Sequence, residues 1–342
     1  MSKYEKIKGV IALSAIGDAM GAATENLTFD QIRSIFGGPV ETFLKPGKTA
    51  FALGNEAGEI TDDFSQIYFI LQEVLKRNGE LSTEAVIQAI LNWSEVPKYF
   101  NRFAGPTTRS AIAMYKDPNR EMKPLPGAVA VDYASKATNG SAMKIAPAAL
   151  LNPGDIEKTI TASLTISQVT HDNSLSIIGA AAIAAGTAAG MKDHATPDEA
   201  IYAGLYGASR AATLAKYQSR EVGGANILKR IKLAIKIAEG YEPKEVKLRN
   251  LEEIIGSGLM ISEAVPCAFG IFAMNKDNAL QAVIDAVNIG YDTDTIATIV
   301  GTLAGPFANF NDSKVVELFD QVQKANNFDL EKLAKDIYEL NK

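Results

Sequence analysis

The sequence predicts an all-α protein, and three observations lead to this fold class. Apolar residues recur every three or four positions along nearly the whole chain, whereas convincing strand-like alternation is absent. Alanine and glycine recur at helical spacing, as in residues 179–190, which allows helices to approach closely. No linker-like shift in composition and no internal repeat divides the sequence. We therefore predict a single domain over residues 1–342.

The first predicted helix covers residues 6–23. It follows several lysines and superficially imitates a secretory signal, but Asp18 and Glu25 interrupt the apolar pattern, so we predict a core helix. The longest apolar run, residues 177–191, is shorter than the roughly 20 residues of a membrane span. No membrane helix is expected.

Several later helices have recognisable ends. Thr61 is a good N-cap residue, the two aspartates after it suit the positive end of a helix, and Gly79 suits the far end. Asp155 and Pro197 mark further helix starts. The predicted helices after the first are residues 61–76, 82–93, 108–115, 156–168, 174–191, 197–215, 225–238, 251–255, 264–274, 278–287, 295–308, 313–324 and 330–340.

Three segments rich in glycine, proline and polar residues are predicted as loops at one end of the helix bundle. They are residues 36–58, 116–143 and 220–224.

The charge and cysteine content exclude some classes of protein. A net charge of −6 argues against a nucleic-acid scaffold, which needs a basic face, and the basic residues within 229–236 are predicted to form a solvated helix face. The single cysteine, Cys267, excludes an intrachain disulfide and fits a reducing cytoplasm. Because it lies at an apolar helix start, we predict that it is buried and unreactive.

The stretch Asp292-Thr293-Asp294-Thr295 is the strongest candidate for chemistry. It follows a glycine and leads into a run of small and β-branched residues that is typical of a buried helix. An ordinary N-cap at Asp292 or Thr293 accounts for one aspartate and leaves the other unexplained. Carboxylates beside an apolar helix need a helix start, a basic partner or a bound cation.

A second cluster of the same kind, Thr61-Asp62-Asp63, opens another predicted helix. Capping again accounts for each residue singly, but two acidic helix starts without lysine or arginine favour a shared function. Oxygen ligands of this type suit magnesium or manganese rather than zinc.

Other polar residues remain ambiguous as single motifs. Asp18 and Glu25 each fit a structural or a catalytic role, Asn139-Gly140-Ser141 fits a turn or an anion cradle, and His171 faces either a site or the core. The sequence lacks a nucleophile elbow, a dinucleotide-binding fingerprint and a Walker loop. Serine hydrolases, Rossmann enzymes and P-loop enzymes are therefore excluded.

Taken together, five segments resemble the ADP-ribosylglycohydrolase family in order and spacing. They are Gly17-Asp18-Ala19-Met20-Gly21 with Glu25, Thr61-Asp62-Asp63, Asn139-Gly140-Ser141-Ala142-Met143, Thr170-His171 and Asp292-Thr293-Asp294-Thr295. The resemblance implies an all-α fold and two magnesium ions, with manganese as the other possibility. It also implies hydrolysis of the N- or O-glycosidic bond between ADP-ribose and a modified side chain.

The same resemblance implies residue roles. The expected metal ligands are Thr61, Asp62, Asp63, Asp292, Asp294 and Thr295. The expected catalytic residues are Glu25, Asp62 and Asp294. The expected substrate contacts are Asn139, Gly140, Ser141 and His171. Asp18 is expected to support the metal ligands rather than to bind metal.

Three departures from the family pattern leave the substrate open. Phe64 stands where the family has a second threonine, residues 135–138 lack the glycines of a pyrophosphate-binding loop, and Lys144 replaces an arginine. We therefore keep two substrate classes, an ADP-ribosylated protein or small ADP-ribosyl conjugate, and a smaller nucleoside-like N-glycoside. A catalytically silent ADP-ribose-binding relative is a third reading, but its expected loss of acidic ligands is not seen here.

Overall fold

The computed structural model describes residues 1–48, 50–120, 124 and 128–342. These residues form an all-α fold of α-helices and short helical turns. Extended pairing among them is limited to two isolated bridges. The helices are α1 (Lys3–Gly21), α2 (Phe29–Phe36), α3 (Asp62–Lys76), α4 (Thr83–Ser94), α5 (Pro97–Phe103), α6 (Pro106–Lys116), α7 (Ala146–Leu150), α8 (Ile156–Gln168), α9 (Ser174–Gly190), α10 (Pro197–Gln218), α11 (Ile227–Ala238), α12 (Lys244–Asn250), α13 (Ile261–Met274), α14 (Ala279–Val287), α15 (Thr293–Ala304), α16 (Ser313–Asn326) and α17 (Leu330–Leu340).

The predicted fold class is confirmed, and every segment predicted as helical contains a helix. Four short helices, α2, α5, α7 and α12, were not predicted. The predicted helix at residues 251–255 is a π-helical turn that continues α12. Residues 134–136 and 139–141 of the predicted loop 116–143 form 3₁₀ turns, whereas its residues 121–123 and 125–127 lie outside the described part of the chain.

Two helices form the centre of the molecule because they are apolar on nearly all sides. α1 is buried from Gly9 to its end and packs against α15, with α14, α16 and α17 around it. α9 is buried along almost its whole length and packs against α8, α10 and α13. One hydrophobic cluster includes residues from Ile7 in α1 to Ile337 in α17.

The contact between α1 and α15 depends on glycine. A Cβ atom at Gly301 would lie 2.2 Å from the carbonyl oxygen of Leu13, and one at Gly21 would lie 2.5 Å from the Cα of Asp294. Only hydrogen fits at these two positions. The carboxyl end of α1 is thereby held directly against the amino end of α15.

Three further predictions concern membrane helices, the cysteine and the basic face of α11. None of the helices described is long and apolar enough to cross a membrane. Cys267 is fully buried. Lys229, Lys232 and Lys236 are exposed, but the Arg230 guanidinium donates to the carbonyl oxygen of Ile255, so this arginine belongs to a structural contact rather than to a solvated face.

Candidate metal and substrate site

Carboxylates from four parts of the chain meet at one place. Asp18 comes from α1, Glu25 from the turn after it, Asp62 and Asp63 from the first turn of α3, and Asp292 and Asp294 from the start of α15. Oxygens of Asp18, Asp63 and Asp294 lie within 4.8 Å of one another, and so do oxygens of Glu25, Asp292 and Asp294. The two acidic helix starts seen in the sequence therefore face each other across the end of α1.

Asp18 ties the start of α3 to α1. Its carboxylate accepts hydrogen bonds from the backbone N–H of Thr61 at 2.9 Å, from the Thr61 hydroxyl at 2.8 Å and from the backbone N–H of Phe64 at 2.8 Å. An aspartate of one helix thus satisfies free amides of another. An Asp18 oxygen also lies among those of Asp63 and Asp294, so Asp18 is as close to the acidic cluster as two of the expected metal ligands are to each other.

The Thr61 hydroxyl has more carboxylate neighbours than it has protons. It lies 2.8 Å from an oxygen of Asp18 and 2.9 Å from an oxygen of Asp63. A hydroxyl carries one proton, so it donates to only one of the two. The second contact requires a protonated carboxyl group or a nearby cation.

Asp292 occupies the N-cap position of α15 but does not cap the helix with its side chain. Its carboxylate instead accepts a hydrogen bond of 2.5 Å from the Asn139 side-chain amide. The Thr295 backbone N–H donates to the Asp294 carboxylate at 2.9 Å. Ordinary capping therefore does not account for Asp292.

Burial and mutual repulsion make the ionised form of these carboxylates unfavourable in free energy. Burial, followed by the charges of Asp292 and Asp62, raises the pKa of Glu25 to about 8. Burial raises the pKa of Asp62 to about 7 and that of Asp18 to about 6. Burial, followed by neighbouring carboxylates, raises the pKa values of Asp63 and Asp294 well above their ordinary value. A bound cation would offset this cost.

The donor set fits a hard divalent cation. It consists of carboxylate and hydroxyl oxygens, and neither a histidine nor a cysteine belongs to the acidic groups within the described residues. Two buried oxygens, Asp63 Oδ1 and Glu25 Oε2, have no hydrogen-bond partner among those residues. Buried acceptors without a donor are the expected state of metal ligands seen apart from their ion.

The acidic cluster forms the floor of a cavity of about 310 Å³. Among the residues expected in the site, those lining this cavity are Glu25, Asp62, Asp63, Asn139, Gly140, His171, Asp292, Asp294 and Thr295. Thr61 lies behind the floor against Asp18. Ser141 is fully buried and donates to the carbonyl oxygen of Ser176 at 3.1 Å, so its hydroxyl is directed away from the cavity.

The segment 138–144 joins several parts of the site. The buried Lys144 ammonium donates to the Gly140 carbonyl oxygen, and the Thr138 hydroxyl lies 2.8 Å from His171 Nε2. A Cβ atom on Gly140 would lie 2.8 Å from the His171 ring, so the ring packs directly on the backbone. Burial lowers the pKa of His171 well below its ordinary value and that of Lys144 to about 8. His171 is therefore a neutral wall of the cavity.

The opposite wall was not predicted from the sequence. Phe51, Phe103 and residues 104–108 line it, and the Arg102 guanidinium holds the Phe51 loop by donating to the Asn55 side chain at 2.6 Å and to the Leu53 carbonyl oxygen at 2.7 Å. Phe51 and Glu25 line the same cavity. These residues lie on short helices and loops without a recognisable motif, so the sequence carries no signal for them.

A second cavity of about 500 Å³ adjoins the first, and Thr107 and His171 line both. Its wall includes three cationic side chains, Arg120, Lys136 and Arg220. The Arg220 guanidinium lies 3.7 Å from the centre of the Tyr133 ring. An acidic cavity thus borders a basic and aromatic one.

The chain is similar to one protein family and to individual proteins of known sequence. The family model described as ADP-ribosylglycohydrolase matches residues 1–341. The chain is 27% identical to the uncharacterised protein YegU of Escherichia coli (strain K12) over 90% of this chain and 89% of YegU. It is 24% identical to the ADP-ribosylhydrolase ARH3 of Bos taurus over 88% of this chain and 84% of ARH3.

A solved structure has the same fold. It is that of an ADP-ribosylglycohydrolase-related protein complex, with a TM-score of 0.68 and 19% identity, and the match covers 100% of this chain and 99% of the other.

Proposed function

Since the chain belongs to the ADP-ribosylglycohydrolase family, we propose that it hydrolyses the glycosidic bond of an ADP-ribosyl group. The bond joins the ribose to a modified protein side chain or to a small leaving group. The observation that carries this proposal is the set of buried carboxylates at the floor of a cavity, with oxygens within 4.8 Å of one another. A hydrolase of ribosyl bonds needs such groups to hold a water and to stabilise positive charge on the sugar.

We assign the binding of two magnesium ions, or manganese, to Thr61, Asp62, Asp63, Asp292, Asp294 and Thr295. When bound, such ions orient ribose hydroxyls and lower the pKa of a water molecule. The unpartnered Asp63 Oδ1 supports this assignment, and so does the approach of two carboxylate oxygens to the single proton of the Thr61 hydroxyl.

Glu25 is the general base in this proposal. It lines the cavity, its Oε2 has no hydrogen-bond partner among the described residues, and its carboxylate belongs to the same group of oxygens as Asp292 and Asp294. It would take a proton from the attacking water while Asp62 and Asp294 stabilise the oxocarbenium-like ribose. Asn139 holds Asp292 in place, and Gly140 and His171 form the wall against which the substrate lies.

The basic second cavity supports an ADP-ribosyl substrate. A diphosphate needs cationic partners, and Arg120, Lys136 and Arg220 line this cavity next to His171. The nucleoside-like alternative is supported by the first cavity, because its volume of about 310 Å³ holds a sugar and a base without the second cavity.

A product assay tests the proposal. ADP-ribosyl-arginine, ADP-ribosyl-serine, O-acetyl-ADP-ribose and common nucleosides are each incubated with Mg²⁺ or with a chelator, and products are separated by chromatography. We expect ADP-ribose to be released only with Mg²⁺. Release of ribose and base from nucleosides alone would favour the nucleosidase, and no turnover would favour the silent relative.

A further inference from the structure

Two strained residues flank the acidic cluster. Non-glycine residues with positive φ are uncommon, and a bulky one is an outlier. Among the described residues Asn26 has a φ of 62° and Tyr291 a φ of 65°. Asn26 directly follows Glu25, and Tyr291 directly precedes Asp292.

The two strained residues are hydrogen-bonded to each other's segment. The Asn26 backbone N–H donates to the Tyr291 carbonyl oxygen at 2.8 Å, and the Tyr291 backbone N–H donates to the Leu27 carbonyl oxygen at 2.8 Å. This reciprocal pair, which we name the clip, joins the turn after α1 to the segment that enters α15.

The clip connects two groups that repel each other. Oxygens of Glu25, Asp292 and Asp294 lie within 4.8 Å of one another in a buried site. Carboxylates at this distance in a dry environment either take up protons or, when both are ionised, move apart unless the backbone is held. Behind the clip, the Thr24 hydroxyl donates to the Val287 carbonyl oxygen at 2.7 Å and lies 2.9 Å from the Thr293 hydroxyl. The two segments are thus fastened on both sides of the carboxylates.

Burial of the side chain does not explain the left-handed backbone conformation of Tyr291. It is 49% exposed, and it is absent from the lining of the acidic cavity. Strained conformations persist only where the surroundings determine them, and they concentrate at functional sites. Here the pair of backbone hydrogen bonds is the feature of the surroundings that holds the conformation.

We propose that Asn26 and Tyr291 are positioning residues whose clip sets the spacing of the Glu25 and Asp292 carboxylates for cation binding. This inference rests on the proposed function, which assigns those carboxylates to the metal centre. The clip is made of backbone atoms, so the property of positions 26 and 291 that the proposal uses is the φ that each residue tolerates. Glycine tolerates the left-handed region, whereas a β-branched residue does not.

The test uses Asn26→Val and Tyr291→Val, with Asn26→Gly and Tyr291→Gly as rescue variants. His194→Val is the matched control, because His194 has a φ of 56° and lies exposed in a loop far from the acidic cluster in sequence. Mg²⁺ affinity is measured by calorimetry, and the melting temperature is measured without metal. We expect the valine variants to bind Mg²⁺ about tenfold more weakly, the glycine variants to bind within about twofold of the original chain, and the control to lose stability only.

Valine variants with unchanged Mg²⁺ affinity would overturn the inference, and so would an equal loss of affinity in the His194→Val control. If a valine variant fails to fold, the milder Tyr291→Ala is judged by the same criterion. Absence of Mg²⁺ binding by the original chain would overturn the proposed function and the inference with it. Retained affinity in the valine variants would overturn the inference alone.

Discussion

The role of each aspartate in this protein follows from what its oxygens contact. Asp18 accepts three backbone and hydroxyl hydrogen bonds, whereas Asp63 keeps one buried oxygen without a partner among the described residues. The first pattern fixes a helix start, and the second leaves an acceptor oxygen that the proposed function assigns to a cation. Both carboxylates nevertheless belong to one group of oxygens, so substitutions at the two positions have different consequences.

Asp294→Asn replaces an ionisable carboxyl group of the cluster by a neutral amide of nearly the same shape. Burial and the charges of Glu25 and Asp63 raise the pKa of Asp294 well above its ordinary value. We therefore expect the metal-free variant to be more stable by roughly 1–3 kcal/mol at neutral pH, while turnover and stabilisation by Mg²⁺ are lost. Thermal unfolding with and without Mg²⁺ measures both effects, and the exposed Asp320→Asn is the control. An unchanged response of Asp294→Asn to Mg²⁺ would contradict its assignment as a ligand.

The stability of the metal-free protein should fall as the pH rises. The pKa of Glu25 is raised to about 8 and that of Asp62 to about 7, so the folded state holds protons that the unfolded state has released. Stability therefore decreases from about pH 4, near the unfolded pKa values, to about pH 8. Denaturant unfolding at a series of pH values in a chelator tests this slope, and a stability that rises over that range would refute it.

The sequence predicted the acidic residues but not how Asp18 is used. Thr61, Asp62, Asp63, Asp292 and Asp294 could be predicted because each pair stands at a recognisable helix start. The contacts of Asp18 with Thr61 and Phe64 join residues more than forty positions apart, and no local pattern encodes such a contact.

At the scale of elements, the site lies where two helix starts meet one helix end. The amino ends of α3 and α15 carry partial positive charge, which reduces the repulsion among the carboxylates. The tight packing of α1 on α15 sets their separation. Helix packing and site geometry are therefore coupled.

Gly301→Ala tests this coupling. The added Cβ would lie 2.2 Å from the Leu13 carbonyl oxygen and would push α15 away from α1. We expect a loss of about 1–3 kcal/mol in the free energy of unfolding together with weaker Mg²⁺ binding. Gly223→Ala is the matched control, because its Cβ would meet nothing within 4 Å. Calorimetric titration measures the Mg²⁺ affinity of both variants. An unaltered affinity in Gly301→Ala would show that the packing of α1 on α15 does not set the geometry of the site.

The long helices could be predicted and the short ones could not. α9 and α10 have extended apolar patterns, whereas α2, α5 and α12 are too short for periodicity to identify, and short helices depend on tertiary contacts. The capping box of Thr28 and Gln31 at the start of α2 was an available signal. The π-helical turn at residues 251–255 shows helical periodicity, which explains why it was predicted only as a helix.

At the scale of the whole molecule, we propose that the chain folds as one domain, because one hydrophobic cluster joins helices from α1 to α17. The site is built from residues spread from Asp18 to Thr295, so it exists only when this core is formed. The sequence could suggest the acidic floor of the site through its motifs. The basic second cavity combines Arg120 and Lys136 of the predicted loop 116–143 with Arg220 of the predicted loop 220–224, and no motif marks these residues as neighbours.

Arg220→Ala tests the use of the second cavity. If an ADP-ribosyl substrate extends into it, we expect KM for that substrate to rise about tenfold, with kcat and Mg²⁺ affinity little changed, because one charged contact is lost. Arg210→Ala, which removes a surface arginine paired with Glu157, is the control. Steady-state kinetics of both variants provide the comparison. An unchanged KM in Arg220→Ala would favour the smaller nucleoside-like substrate.

The most direct measurement of the central claim is a calorimetric titration of the metal-free chain with Mg²⁺, beside Asp63→Asn. The proposed function predicts that the original chain binds two ions and that Asp63→Asn, which alters the unpartnered oxygen, loses at least one of them. A chain that binds no divalent ion, or an Asp63→Asn variant that binds both with unchanged affinity, would contradict the assignment of this cluster as the metal centre.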